Sequence, residues 1–326
     1  MVRFFKRDAA SKGAVRTDAD APARKPRELK PEPERIGIAG SVPFVRLPEP
    51  ATLFAKRAER LRTLAPDHPL GGYLAFLAQI AEAQAAVQAE RPPASTAPEP
   101  APDLALRTEH GMPPLSRHGL DGVFPEVLAA LLARLDLGTA PEPARRALDT
   151  LRRAAPEDRL DLAVQVFEGA IPVERVAESV YVAAALQICL AEQAAGLDPK
   201  ALKPIADGVC PCCGGAPAAS LVVGWTPADK ARYLACTLCG TQWNHVRIRC
   251  TACGSGEGVS YYGLDEVSGD IQVETCTTCH SYIKHLHQHR DPALDPVADD
   301  IASYGLDLKI AEDGFRKAGL NLMMVG

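Results

Sequence analysis

Eight of the ten cysteines fall into four C-x-x-C pairs: Cys210/Cys213, Cys236/Cys239, Cys250/Cys253 and Cys276/Cys279. Each pair can form a tight turn that aims two sulfurs at one point, and four thiolates in tetrahedral array suit Zn²⁺ or a single iron ion. The third pair lies 40 residues after the first, and the fourth lies 40 residues after the second. Gly214 and Gly254, Ser220 and Ser260, Thr237 and Thr277, and His245 and His285 keep the same offset. A fixed period of this kind signals duplication of one structural unit, here C-x2-C-x22-C-x2-C.

The repeat favours pairing the first with the second motif and the third with the fourth. A nested arrangement, second with third, remains open. Either way all four positions of a site are filled by sulfur, which leaves no place for a reactive water; such a closed site stabilises a fold. Cys212 lies inside the first motif opposite Ala252 and is a spare thiol, either a bystander or a redox or partner-linking group. His285, His287 and His289 alternate, so in a strand they share a face, either as a second metal patch or as a solvated polar surface. No Ser-His-Asp or Cys-His pattern, P-loop or dinucleotide-binding glycine motif is present, so no catalytic residues are assigned.

The elements that must position these cysteines can be read around them. Gly214, Gly240 and Gly254 follow three of the pairs, where a small residue lets backbone N–H groups approach the sulfurs; His280 holds the fourth position. The spacers read as hairpins: Leu221–Val223 with Tyr233 and Leu234, then Val259–Tyr262 with Ile271–Val273 around a turn at 265–270. Further strands are expected at Trp243–Ile248 and Tyr282–Leu286. Knuckles joined by short antiparallel strands make a zinc-ribbon or rubredoxin-like unit, whose thin core relies on its metal. Replacing Cys236 or Cys276 is therefore expected to unfold its own ribbon and leave the helical domain standing.

Upstream the chain is rich in Ala and Leu. Leu53, Ala55, Ala58 and Leu61, then Tyr73, Phe76, Leu77, Ile80, Ala83 and Val87, recur at helical spacing. Similar patterns follow at Val127–Leu135, Ala144–Leu151, Leu160–Phe167 and Val176–Leu190, giving an all-α region of five to seven helices. Cys189 falls among the apolar residues of the last helix and reads as core. After the cysteines, Asp295-Pro296 opens a helical tail. Asp299 and Asp300 complement its dipole, Ile301, Leu306, Leu308 and Ile310 form its apolar side, and Gly314 stops it.

The resulting fold class is α+β multidomain. A Pro-rich basic arm without order of its own (1–40) precedes an all-α domain (41–206). Two tandem four-cysteine ribbons (207–248 and 249–290) and a helical tail (291–326) follow. The chain of 326 residues has a formal net charge of −5. Residues 207–290 carry six basic and seven acidic groups, and each filled four-thiolate site would add roughly −2. Nucleic acid needs a cationic surface, so it is not an expected partner. No apolar core of a secretion signal follows the N-terminal basic residues. The longest apolar stretch, Ser179–Ala191, is interrupted by Gln187 and is too short to cross a bilayer. A cytoplasmic protein is expected, in a compartment where C-x-x-C pairs favour metal over disulfides.

The chain resembles the formate dehydrogenase accessory protein family, FdhE. The resemblance rests on Cys210-Pro211-Cys212-Cys213-Gly214, on Arg232–Cys239, on Trp243–Cys250, on Glu274–Cys279 with Tyr282–Lys284, and on Ala298–Ala302 with Asn321 near the end. Ala183–Gln187 fits as well. It implies a non-enzymatic cytoplasmic assembly chaperone. Such a protein serves the maturation of respiratory formate dehydrogenase, acting on the catalytic subunit before export. It also implies two rubredoxin-like metal sites, for iron or zinc, held by Cys210, Cys213, Cys236 and Cys239 and by Cys250, Cys253, Cys276 and Cys279. The alternative is a rubredoxin-like electron carrier.

Overall fold

The computed structural model describes residues 4–7, 42–91, 104–120, 122–136, 138, 140–264 and 269–324. Seven helices lie between residues 48 and 206 among these: α1 (Pro50–Leu64), α2 (Gly71–Ala89), α3 (Leu104–Glu109), α4 (Phe124–Arg134), α5 (Glu142–Arg153), α6 (Pro156–Phe167) and α7 (Val176–Ala195). α1, α4, α5 and α6 each open with proline in the first turn, where the missing N–H has no helical partner to lose. α7 is buried almost all round, from Ser179 to Ala191, and α1, α2, α4, α5 and α6 pack about it. Cys189 is fully buried in this core, as its setting in the sequence suggests. Ala55, expected on the inner face of α1, is exposed, while Phe54 and Arg57 point inward. No described helix is long and apolar enough to cross a membrane.

The strands are β1 (Phe4–Arg7), β2 (Val45–Arg46), β3 (Pro217–Val222), β4 (Arg232–Cys236), β5 (Gln242–Asn244), β6 (Val259–Leu264), β7 (Ile271–Cys276), β8 (Ser281–Leu286) and β9 (Arg316–Lys317). They form one sheet in the order β1-β6-β7-β8-β3-β4-β5-β2, with β9 also on β8. The two repeats are therefore not separate beads. Parallel pairing of Ser220 with His285 and Leu221 with Leu286 joins β3 of the first to β8 of the second. Of the basic arm, Phe4–Arg7 pair with β6; its other residues lie outside the described set, as does most of the expected turn at 265–270. The strand expected over Trp243–Ile248 ends at Asn244; beyond it the chain leaves the sheet and turns, left-handed at Ile248 (φ 56°).

Strand alternation sends side chains to two cores. Leu234, Ala218 and Ile283 join the helical core, whereas Tyr233, Ala219 and Tyr282 join a second core under Leu306 and Ile310. The C-terminal segment is thus a clasp across the sheet. Its helices are α8 (Ala298–Ala302) and α9 (Tyr304–Glu312), and Leu308, expected inside, is exposed. Asp295 caps α8, accepting N–H bonds from Val297 and Ala298. Asp299 and Asp300 do more than complement a dipole. Asp299 takes a forked bond from Arg60 of α1, at 2.7 and 2.9 Å. Asp300 lies 3.3 Å from the buried Lys284 ammonium and 2.7 Å from that of Lys317. Burial alone would raise Asp300, but Lys284 and Lys317 outweigh it and hold the carboxyl below its ordinary range.

Candidate metal centres

Each C-x-x-C motif closes a knuckle at the end of a hairpin. Cys210 N–H donates to Gly215 O (3.0 Å), and Cys250 N–H to Ser255 O (2.8 Å) 40 residues on. Gly214 and Gly254 N–H groups return to the carbonyls of Cys210 and Cys250 at 2.9 and 3.0 Å. The residue after each pair is left-handed: Gly214 (φ 77°), Gly240 (φ 72°), Gly254 (φ 69°) and His280 (φ 53°). Glycine adopts that conformation without the penalty a side chain brings. Leu238 N–H points at Cys236 Sγ and Ala252 N–H at Cys250 Sγ, both at 3.4 Å.

These turns gather the eight cysteines into two groups. Cys210, Cys213, Cys236 and Cys239 form one and Cys250, Cys253, Cys276 and Cys279 the other, each with sulfurs within 4.8 Å of one another. First and second motifs therefore meet, as do third and fourth; the nested arrangement is not formed. Neighbouring sulfurs stand 3.4–3.6 Å apart in the first cluster and 3.6–3.8 Å in the second. Tetrahedral thiolates at ~2.3 Å from a metal would stand about 3.8 Å apart, so both clusters fit such an ion with little movement. Burial opposes ionisation of Cys239, yet hydrogen bonds from Cys210, Cys212, Cys213 and Cys236 hold its thiol well below the ordinary value.

The surroundings differ. All four cysteines of the first cluster are buried, and their sulfurs belong to the same apolar core as the helices. Leu115 N–H donates to Cys212 O (2.9 Å), and Gln187 Nε2 of α7 donates to Thr237 O (2.8 Å). Gln187 Oε1 also accepts from Gln84 at 3.0 Å and Arg57 at 3.4 Å. This residue joins three helices to a knuckle and was not singled out as a site residue. Its signal in the sequence is a lone amide in the longest apolar run. In the second cluster Cys253 is exposed and Cys279 half-buried, and neither core cluster includes any of its cysteines.

Between the repeats lies Arg232, with its side chain fully buried. It donates to Glu274 Oε1 (2.7 Å), Ser220 Oγ (2.9 Å), Thr251 Oγ1 (2.9 Å) and Arg249 O (2.9 Å). Ser220 Oγ is 3.0 Å from His285 Nδ1. His285, His287 and His289 do share a face, their rings 5.1 and 5.3 Å apart. They do not form a third metal group, since the two cysteine clusters are the only metal-competent groups among the described residues; His285 is buried, only 6% exposed, while His287 and His289 are half-buried. Cys212 is fully buried beside the first cluster. A cavity of about 390 Å³ opens beside that cluster, with Cys236, Gly240, Lys56, Trp225 and His289 in its lining.

A helical half clamped onto one of two four-cysteine ribbons, on a sheet shared by both, defines a protein built around paired sulfur metal centres. Three consecutive family models match it: FdhE, N-terminal over residues 42–207; FdhE, central domain over 209–247; and FdhE, C-terminal domain over 248–324. The chain belongs to the FdhE family. It is 40% identical to a protein FdhE homolog of Rhizobium meliloti (strain 1021), over 91% of this chain and 98% of that protein. It is 34% identical to protein FdhE of Escherichia coli (strain K12), over 87% and 91%. The crystal structure of the FdhE protein from Pseudomonas aeruginosa superposes with a TM-score of 0.75 at 33% identity, covering 87% of this chain and 99% of that one.

Proposed function

We propose that this chain is a non-enzymatic accessory protein for respiratory formate dehydrogenase, an assembly chaperone that binds the catalytic subunit in the cytoplasm. In this account two rubredoxin-like sites, Cys210/Cys213/Cys236/Cys239 and Cys250/Cys253/Cys276/Cys279, each hold an iron or zinc ion. The three consecutive FdhE family matches, over residues 42–207, 209–247 and 248–324, carry the proposal. The donor sets support it too: when bound, such an ion supplies a cross-link between knuckles, with all its positions filled by sulfur. Arg232 and Lys284, two of the basic groups in the ribbon region, are buried in ion pairs, which leaves still less cationic surface for nucleic acid.

Deleting the gene is expected to abolish formate oxidation during anaerobic growth, and full-length protein is expected to retain the catalytic subunit in pull-downs. Unchanged activity would overturn the proposal. The exposure of Cys253 favours a second reading, a rubredoxin-like electron carrier, since electron exchange needs a cluster near the surface. Potentiometry separates them: an iron-loaded protein without a reversible couple eliminates the carrier.

A further inference from the structure

The second cluster differs from the first at three of the four positions between its cysteines and in what covers it. The residues between the cysteines are Pro211-Cys212 and Thr237-Leu238 in the first unit, all buried. Their counterparts 40 positions on are Thr251-Ala252 and Thr277-Thr278, of which Ala252, Thr277 and Thr278 are exposed. Leu115, Gln187 and Leu322 bond to the first pair of knuckles, through Cys212 O, Thr237 O and Thr237 Oγ1. A Cβ on Gly240 would meet Leu53 of α1 at 3.0 Å, so helix and knuckle are already in contact there. Opening the first cluster therefore means parting the helical core from the sheet.

The second cluster keeps the machinery for holding an ion but lacks the roof. Ser281 Oγ is 2.9 Å from Cys279 Sγ, as Thr241 Oγ1 is 3.1 Å from Cys239 Sγ at the equivalent place. Cys250 and Cys276 are buried; Cys276 ends β7 and pairs with Ser281 of β8, and Cys250 Sγ lies 3.5 Å from Ser281 Oγ. Only Cys253 is exposed. It sits in a short loop rather than a strand, so its sulfur can leave an ion without breaking the sheet.

We propose that the second cluster is an exchange site. It takes up and gives up a thiophilic divalent cation through Cys253, while the first cluster keeps its ion as a permanent cross-link. An incoming thiolate, from a small thiol or a partner's cysteine, would bond to the ion as the bond to Cys253 Sγ broke. The freed Cys253 would take a proton from solvent, with no change of oxidation state. The same exchange at Cys279, the half-buried ligand, and then at Cys250 and Cys276 would complete the release.

The inference rests on both clusters holding metal. It is tested on full-length zinc-loaded protein with 4-(2-pyridylazo)resorcinol as chelator and glutathione as the thiolate. Two zinc ions per chain are expected at the start. One is expected to leave quickly and the other roughly a hundredfold more slowly, since the first cluster must open part of the core. Alkylation of the loaded protein with iodoacetamide, read by mass spectrometry, is expected to mark Cys253 first and to spare Cys210, Cys213, Cys236 and Cys239. Cys253→Ser is expected to remove the fast ion alone. Fewer than two ions at the start overturns the metal assignment itself. Two ions leaving at one rate, or labelling that reaches Cys213 before Cys253, overturns the exchange site and leaves the metal assignment intact.

Discussion

The two clusters are copies of one 40-residue unit with the same cysteine pattern, matching backbone bonds at Cys210/Gly214 and Cys250/Gly254, and a left-handed residue after each pair, glycine in three and His280 in the fourth. One lies within the helical core; the other faces solvent. Duplication thus preserved the chemistry of coordination while three of the four residues between the cysteines diverged. Leu238 is buried on the copy that the helices cover, and its counterpart Thr278 is exposed on the copy they leave bare. The lesson is that donor sets define what a site can bind, and the groups over it define how fast the site can let go.

The sharpest way to break this comparison is to remove one ligand from each. Structural zinc in zinc-finger peptides contributes ~10–16 kcal/mol of apparent folding free energy, as much as the whole stability of a typical domain. Because the first cluster sits in the helical core, Cys213→Ser is expected to unfold the helices and both ribbons together, seen as loss of cooperative melting by circular dichroism. This revises the expectation that Cys236 could be lost with the helices left standing. Cys253→Ser should lose one ion, open its knuckles to limited proteolysis and leave the helical signal in place. If both variants behave alike, the contrast between buried and exposed clusters fails.

Arg232→Met comes next. It strands Glu274 in the interior between the repeats, at a cost of about 3–5 kcal/mol measured by urea unfolding. A loss under 1 kcal/mol would show that the seam between ribbons does not depend on this pair. Gln187→Leu removes the amide that ties α7 to Thr237 and is expected to cost about 1–3 kcal/mol. It should also raise alkylation at the first cluster only.

The smallest expected effect is a pH dependence. Burial, with the nearby Arg290 and His289 charges, lowers His287 to about 4. A histidine depressed on folding binds more protons when unfolded, so its contribution is full above pH ~6.5 and fades as pH falls toward 4. His287→Gln should therefore flatten the stability profile between those values relative to the parent protein. An unchanged slope would mean that the histidine stack does not sense pH.

Helices and knuckles were legible in the sequence because each is local. Apolar spacing marked α1, α2 and α4 to α7, and the 40-residue offset marked both clusters and their pairing. What escaped depends on residues distant in the chain. Arg57 meets Asp295 across 238 positions and Arg60 meets Asp299 across 239, so nothing local distinguishes them from surface charges. The parallel join of β3 to β8 is equally invisible, because each strand also has an antiparallel neighbour that explains its pattern. His285 read as polar surface, since its partner Ser220 and the buried Arg232 lie in the other repeat.

The central claim is that both clusters hold a metal through sulfur alone. Metal analysis with X-ray absorption spectroscopy, on protein purified anaerobically, tests it most directly. The account predicts two iron or zinc ions per chain, each with four sulfur neighbours at about 2.3 Å. One ion or none, or nitrogen and oxygen ligands in place of sulfur, would contradict it.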